Sequence, residues 1–376
     1  MYKEYNATSQ HYEIIMKKLN ILREYIPANY SSDFRNPCWY DFHQTFTNPE
    51  IPVTRPCKIS LRLWSEHVQP EQVLQQIKTP GERHLYCLPA FFVPAFPKCA
   101  TTALHYMIAQ HPLIAKNRCK ENWFWSKFIN DDATDIEKRI HPMWYFYRLS
   151  QSMQYIESNP QSVTLDASPV YALSFTEYFC MIPILLKRVL PEAKFIMIMR
   201  NPSKRFFSHY WFQQGGLARK RGFITKFAEY VHTPNAMEDF HNRTVDVITQ
   251  FQSCIDGRNS VLHCIINGRK SKITSFLCWG LYFYHIAPWL KVIPRERFLF
   301  IRTEDLAKNQ SLTLSTVWHF LNLDDFEAET AFRTVNQVTK GLVMPQQTKD
   351  LLDEFYQPYN QLLANALSDE KYLWND

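Results

Sequence analysis

The chain has 376 residues, 46% hydrophobic and 21% charged, with 27 Phe, 20 Tyr and 10 Trp but only 8 Gly, which excludes disordered, collagen-like and coiled-coil classes and suffices for one large or two ordinary domains. A formal net charge of +6 permits an anionic partner but does not point to nucleic acid, for which no zinc-finger, RNA-recognition or basic-zipper pattern is present. The longest apolar stretches, 178–186 and 276–284, are broken by Pro183 and Gly280 and fall short of the ~20 residues of a membrane-spanning helix, so no span is expected.

In chain order, residues 12–25 predict a helix, followed by irregular coil around Asn36-Pro37-Cys38-Trp39. Residues 1–84 are polar and proline-punctuated and read as an extension packing on a domain of residues 85–376. The run 85–96 is apolar and aromatic, short enough to hold a buried strand, and 101–110 follows as a helix ending at His111-Pro112. The run 195–199 (Phe-Ile-Met-Ile-Met) predicts a strand covered on both faces. Residues 203–212 then predict a helix, with Pro202 suited to its first turn. Strand 298–301 and helix 312–321 repeat the alternation. Buried strands alternating with helices imply an α/β fold, a parallel sheet between two helical layers. Ligands in such folds sit at the carboxyl ends of strands, which singles out the junctions after Phe96 and Met199.

There are nine cysteines and no CxxC cluster, so no metal site is expected. Cys254 and Cys264 flank turn-forming Asp256, Gly257 and Asn259 and could close a short loop. Four Asn-X-Ser/Thr sequons start at Asn6, Asn29, Asn242 and Asn309, which is suggestive of a secretory compartment. No apolar leader follows Met1, so either an anchor was removed or the chain is cytoplasmic.

At the first junction, Lys98-Cys99-Ala100-Thr101-Thr102 lies between a strand and a helix. Free backbone N–H groups and the positive helix end form a natural phosphate site, to which Lys98 adds a cation and the threonines hydroxyls. The competing reading is a capped helix with a solvated lysine. No GxxxxGK[ST] loop is present, which argues against a P-loop kinase or NTPase. At the second junction, Arg200 stands at a strand end where its guanidinium can fork onto phosphate. Ser208, under two helical turns on, can lean back toward the same anion. Alone, these two would more often be a salt-bridged arginine and a self-bonded serine.

Together, the lysine–threonine cradle and the Arg-Asn-Pro-x-x-Arg-x-x-Ser-x-Tyr element of residues 200–210 resemble the sulfotransferase family. The resemblance runs from about Asn36 to Trp374 and is strongest to the Golgi N-acetylgalactosamine 4-sulfate 6-O-sulfotransferase type. It is carried further by Arg35-Asn36-Pro37-Cys38-Trp39, Cys87-Leu88-Pro89, Lys120-Glu121, Gly280-Leu281-Tyr282, Arg302-Thr303-Glu304-Asp305 and Phe355-Tyr356-Gln357-Pro358-Tyr359-Asn360. It implies 3′-phosphoadenosine 5′-phosphosulfate (PAPS) as donor. Its 5′-phosphosulfate falls to Lys98, Cys99, Ala100, Thr101 and Thr102, and its 3′-phosphate to Arg200 and Ser208. Lys340-Gly341 resembles the late loop closing over the adenosine bisphosphate. The family usually has Gly where Ala100 stands, a methyl that is harmless only if φ is negative.

The resemblance also implies Glu121 as the general base, a Cys254–Cys264 disulfide and residence in the Golgi lumen. Lys98 is the candidate cation on the leaving phosphate, Trp123 and Trp125 could stack a sugar ring or dry the site, and Asp166, at another strand-like end, could contact and orient the acceptor, or orient Lys98. No metal is required if cations and N–H groups carry the charge. His105, His111 and His209 are rival bases. The basic runs Arg219-Lys220-Arg221 and Arg269-Lys270-x-Lys272 could steer a sulfated glycan or simply be solvated. The expected acceptor is a sugar hydroxyl of a glycosaminoglycan, with a small or lipidic alcohol as the alternative. A non-catalytic binding relative is the third reading, and a homodimer is left open.

Overall fold

The computed structural model describes residues 9–41, 83–117, 120–129, 142–173, 181–222, 224–268, 271–329 and 341–375. Helix α1 (Ser9–Arg23) precedes β1 (Cys38–Asp41), β2 (His84–Cys87) and β3 (Phe91–Phe92). There follow α2 (Thr101–Ile108), β4 (Ile114–Ala115), α3 (Phe124–Ile129), α4 (Pro142–Ser158) and β5 (Val163–Asp166). Next come α5 (Met181–Val189), β6 (Lys194–Met199), α6 (Pro202–Lys220), α7 (Ile224–Tyr230), α8 (Pro234–Asp256), α9 (Val261–Asn267) and α10 (Lys272–Cys278). The last elements are α11 (Tyr282–Val292), β7 (Phe298–Arg302), α12 (Thr303–Lys308), α13 (Gln310–Leu321) and α14 (Gln346–Leu367).

Five strands form a parallel sheet in the order β4-β5-β3-β6-β7, flanked by helices as the alternating pattern predicts. Strand β6 has no polar side chain beyond Lys194, and its five other residues are buried, as a strand covered on both faces requires. The register aligns Phe92, Phe195 and Phe298 across β3, β6 and β7. Their rings stack at 5.7 and 5.3 Å, and Trp289 of α11 meets Phe195 edge-on at 5.3 Å, so side-chain pairing fixes the register. A second apolar cluster joins α6, α8, α10 and α14 through Phe206, Trp211, Phe240, Phe251, Leu277 and Tyr356.

Two local expectations change. The run 85–96 holds two short strands, because Pro89 removes a ladder donor: His84–Cys87 ends before it, and only Phe91–Phe92 enters the parallel sheet. Cys38-Trp39, expected as coil, opens β1, which pairs antiparallel with β2 and is bonded to it by the Cys38–Cys87 disulfide. Its partner lies more than forty residues away, so four residues of β1 carry no readable period. Asn36 fastens this region to β5, donating to Ser162 O at 2.6 Å and accepting from Thr164 N at 2.8 Å. In α1, Ile15, Leu19 and Leu22 recur at helical spacing and are buried in the main core. Among the described residues no helix is long and apolar enough to cross a membrane.

Candidate active site

The chain turns sharply between β3 and α2. Lys98 (φ 71°) and Ala100 (φ 60°) are both left-handed, a conformation that costs an L-residue about 1–2 kcal/mol. The Ala100 methyl therefore stands in the strained case, where glycine would be free. Ala100 is also the N-cap of α2 and supplies no side-chain cap, so the first-turn N–H groups of α2 have no capping acceptor. Thr101 is buried and Thr102 half-buried beside them. A bare helix start, a buried threonine and a lysine in the preceding turn fit an anion such as a phosphosulfate.

The Lys98 ammonium lies over the Phe212 ring at 4.0 Å. Burial, and then the Arg200 guanidinium, pushes its pKa down to about 8. A largely buried lysine held down in part by a neighbouring guanidinium is a receptor for negative charge. Phe212 lies four residues after Ser208 on α6, so the two share a helix face, and that face turns toward Lys98.

The second junction is fixed by its neighbours. Thr303 Oγ1 donates to Met199 O at 3.0 Å, and Asn201 N donates to Glu304 Oε1 at 2.9 Å. The other Glu304 oxygen accepts from Trp374 Nε1 at 3.3 Å. Tyr282, fully buried, joins the junctions. Its hydroxyl donates to Arg200 O at 2.7 Å and lies 3.6 Å from Cys99 Sγ. Burial pushes the Cys99 thiol up to about 11, so it remains a thiol and can donate to the phenol. A Cβ on Gly280 would lie 2.7 Å from the Tyr356 ring, which explains the glycine just before α11.

Glu121 lies in the loop before α3. Its Oε1 pairs with Lys120 Nζ at 2.7 Å, its Oε2 accepts from Trp123 Nε1 at 2.9 Å, and its side chain is 36% exposed. Arg148 donates to its carbonyl at 3.0 Å. Trp123 thus touches the carboxylate proposed as base. Asp166 is fully enclosed, its oxygens taken by Ser168, Tyr145 and Tyr171. The direct acceptor contact expected of it does not form, because its carboxylate has no open face.

Among the rival bases, His111 is committed at both nitrogens, donating from Nε2 to Asp324 O at 3.1 Å and accepting at Nδ1 from Leu113 N at 3.1 Å. His209 stacks on Phe276 at 4.1 Å, and burial with Arg205 and Lys98 drives it down to about 2. His105 is pushed down to about 4 by burial and Lys120. Gly341 is exposed with φ 83°, while Lys340, Arg269 and Lys270 lie outside the described residues. Cys254–Cys264 is a disulfide linking α8 to α9.

Sequence reasoning missed Phe212, Ser168 and the Cys38–Cys87 bond, and quoted Tyr282 and Glu304 without a role. For the last two the available signal was their place in stretches that already carried the family resemblance.

Residues 88–349 match the sulfotransferase domain family. The chain belongs to the sulfotransferase family. It is 25% identical to mouse carbohydrate sulfotransferase 15 over 93% of its own length and 66% of that protein's. It is also 25% identical to the membrane-associated sulfotransferase kil1 of Dictyostelium discoideum, over 79% of this chain and 69% of that one. The chain thus spans just under two thirds of the first of these relatives. A sulfotransferase crystal structure from Alicyclobacillus acidocaldarius superposes with a TM-score of 0.52 at 19% identity, covering 77% of this chain and all of that one, and shares its fold.

Proposed function

We propose that the protein transfers a sulfuryl group from PAPS to a hydroxyl of a carbohydrate acceptor. The observation that carries this reading is the approach of the two junctions after adjacent strands: Tyr282 donates to Arg200 O and lies 3.6 Å from Cys99 Sγ, and the Arg200 guanidinium helps to lower the pKa of Lys98. Lys98, with the backbone of Cys99 and Ala100 and the N–H and hydroxyl groups of Thr101 and Thr102, would hold the 5′-phosphosulfate. Arg200 and Ser208 would hold the 3′-phosphate, and Lys340-Gly341 would close over the adenosine bisphosphate. The bound donor supplies the activated sulfuryl group.

In-line transfer needs charge neutralised on the leaving phosphate and a base on the acceptor hydroxyl. Lys98 meets the first need, being desolvated and free to move from the Phe212 ring to an anion. Glu121 meets the second: a half-exposed carboxylate oriented on both oxygens, able to take the acceptor proton. Trp123 offers a ring against which a sugar could stack.

For the acceptor we favour a glycosaminoglycan hydroxyl of the N-acetylgalactosamine 4-sulfate 6-O type, supported by similarity to carbohydrate sulfotransferase 15. Two disulfides favour an oxidising lumen such as the Golgi. Phe212, 46% exposed beside Lys98, gives the mouth an apolar surface and makes a small or lipidic alcohol the second reading. Transfer from radiolabelled PAPS to a panel of glycosaminoglycans and simple alcohols tests both. Label in a sulfated galactosaminoglycan is expected, label in simple alcohols alone would support the second reading, and label in none would overturn the assignment.

A further inference from the structure

The buried Asp166 cluster has a direction that the assigned chemistry does not use. Ser168 Oγ accepts from Asn122 N at 2.9 Å and from Trp123 N at 3.1 Å. Both lone pairs are then spent, so its proton points to Asp166 Oδ1, 2.5 Å away. On the other side, Tyr145 and Tyr171 donate to Asp166 Oδ2 at 2.8 and 2.9 Å. Their oxygens in turn receive Trp125 Nε1 at 3.3 Å and Trp125 N at 3.4 Å. The three hydroxyl protons of the cluster are all aimed at one carboxylate.

That carboxylate holds a strained loop. Trp123 has φ 61°, a conformation that costs a bulky residue about 1–3 kcal/mol and persists only where its surroundings over-determine it. Two consecutive N–H groups captured by Ser168 supply that constraint. The turn they impose points the Trp123 indole at Glu121 Oε2.

We propose that Asp166 and Ser168 are positioning residues, which set the orientation of the Glu121 carboxylate through the backbone of Asn122 and Trp123. This rests on the reading of Glu121 as the base, and the test separates the two.

Ser168→Ala removes the hydroxyl between Asp166 and the loop. Displacing a catalytic group by an ångström costs on the order of 10²-fold, so the expected kcat is about 10- to 100-fold lower. KM for PAPS and binding of adenosine 3′,5′-bisphosphate should stay unchanged, because the donor junctions lie elsewhere. In a Glu121→Gln background the same Ser168→Ala change should cost no further activity, measured as residual radiolabel transfer, since the group it orients is already gone. Should Ser168→Ala not fold, Tyr171→Phe removes one donor to Asp166 while keeping the ring, and a smaller fall in kcat at constant KM is expected.

Glu121→Gln with full activity overturns the reading of the base, and the proposal with it. Glu121→Gln inactive but Ser168→Ala and Tyr171→Phe at wild-type kcat overturns the proposal alone. So does a Ser168→Ala loss that multiplies fully with that of Glu121→Gln, because the residue would then be acting on the fold at large.

Discussion

The first donor junction and the loop carrying Glu121 are built on opposite plans. That junction is a main-chain construction: a strand ends, the backbone turns through left-handed Lys98 and Ala100, and a helix begins without a side-chain cap. The Glu121 loop precedes only a six-residue helix and is held from outside by Ser168, Asp166 and Arg148. Binding a polyanion tolerates such a backbone cradle because many donors share the charge. Proton abstraction needs one carboxylate in one place, and side chains brought from distant strands and helices fix it.

The sharpest way to break this contrast is Glu121→Gln. Removing a positioned base costs about 10²–10⁴-fold in rate, so transfer should nearly vanish while adenosine 3′,5′-bisphosphate binds as before. Loss of both would mean that the halves are not separable.

A smaller effect is expected from Tyr282→Phe, which cuts the bond between the junctions and leaves Arg200 O without its donor. One hydrogen bond contributes about 0.5–1.5 kcal/mol, so the bisphosphate should bind up to about tenfold less tightly. Unchanged affinity would show that the junctions act independently.

Protonation probes the same site. With Lys98 lowered to about 8 from an ordinary 10.5, the cation is lost as pH rises through 8. Affinity for the bisphosphate should therefore fall above pH 8 in the wild type but lack that dependence in Lys98→Ala. For the free protein the sign reverses. The unfolded lysine keeps its proton up to its ordinary value, so this group makes folding more favourable as pH rises from about 8 to about 10.5.

The smallest effect concerns Ala100→Gly. Relief of a left-handed alanine (about 1–2 kcal/mol) exceeds the added chain entropy (about 0.4–1 kcal/mol), so thermal denaturation should show a gain of about 0.5–1 kcal/mol. A loss would mean that Ala100 is not strained.

The same contrast explains what the sequence reveals. Strand β6 and helix α6 are legible because an unbroken apolar run and a proline in the first turn are local signals. Arg200 follows from them, and Lys98 from the apolar run before it, since strand ends in an α/β sheet are where ligands sit. The left-handed φ of Ala100 is not legible, because alanine gives no sign of it and only the resemblance to a glycine-bearing loop raised the question. Asp166 is legible as a strand end but not as a buried acceptor. Its partners Tyr145 and Tyr171 come from other parts of the chain, and sequence spacing cannot show which way a carboxylate faces. Strand β1 and the Cys38–Cys87 bond fail for the same reason.

The central claim is that both junctions grip one doubly phosphorylated nucleotide. It is tested most directly by calorimetric titration of adenosine 3′,5′-bisphosphate into wild type, Lys98→Ala and Arg200→Ala. Each charge-assisted contact contributes about 1.5–3 kcal/mol, so each variant should bind about 10- to 100-fold more weakly. Wild-type affinity in both variants would contradict the account.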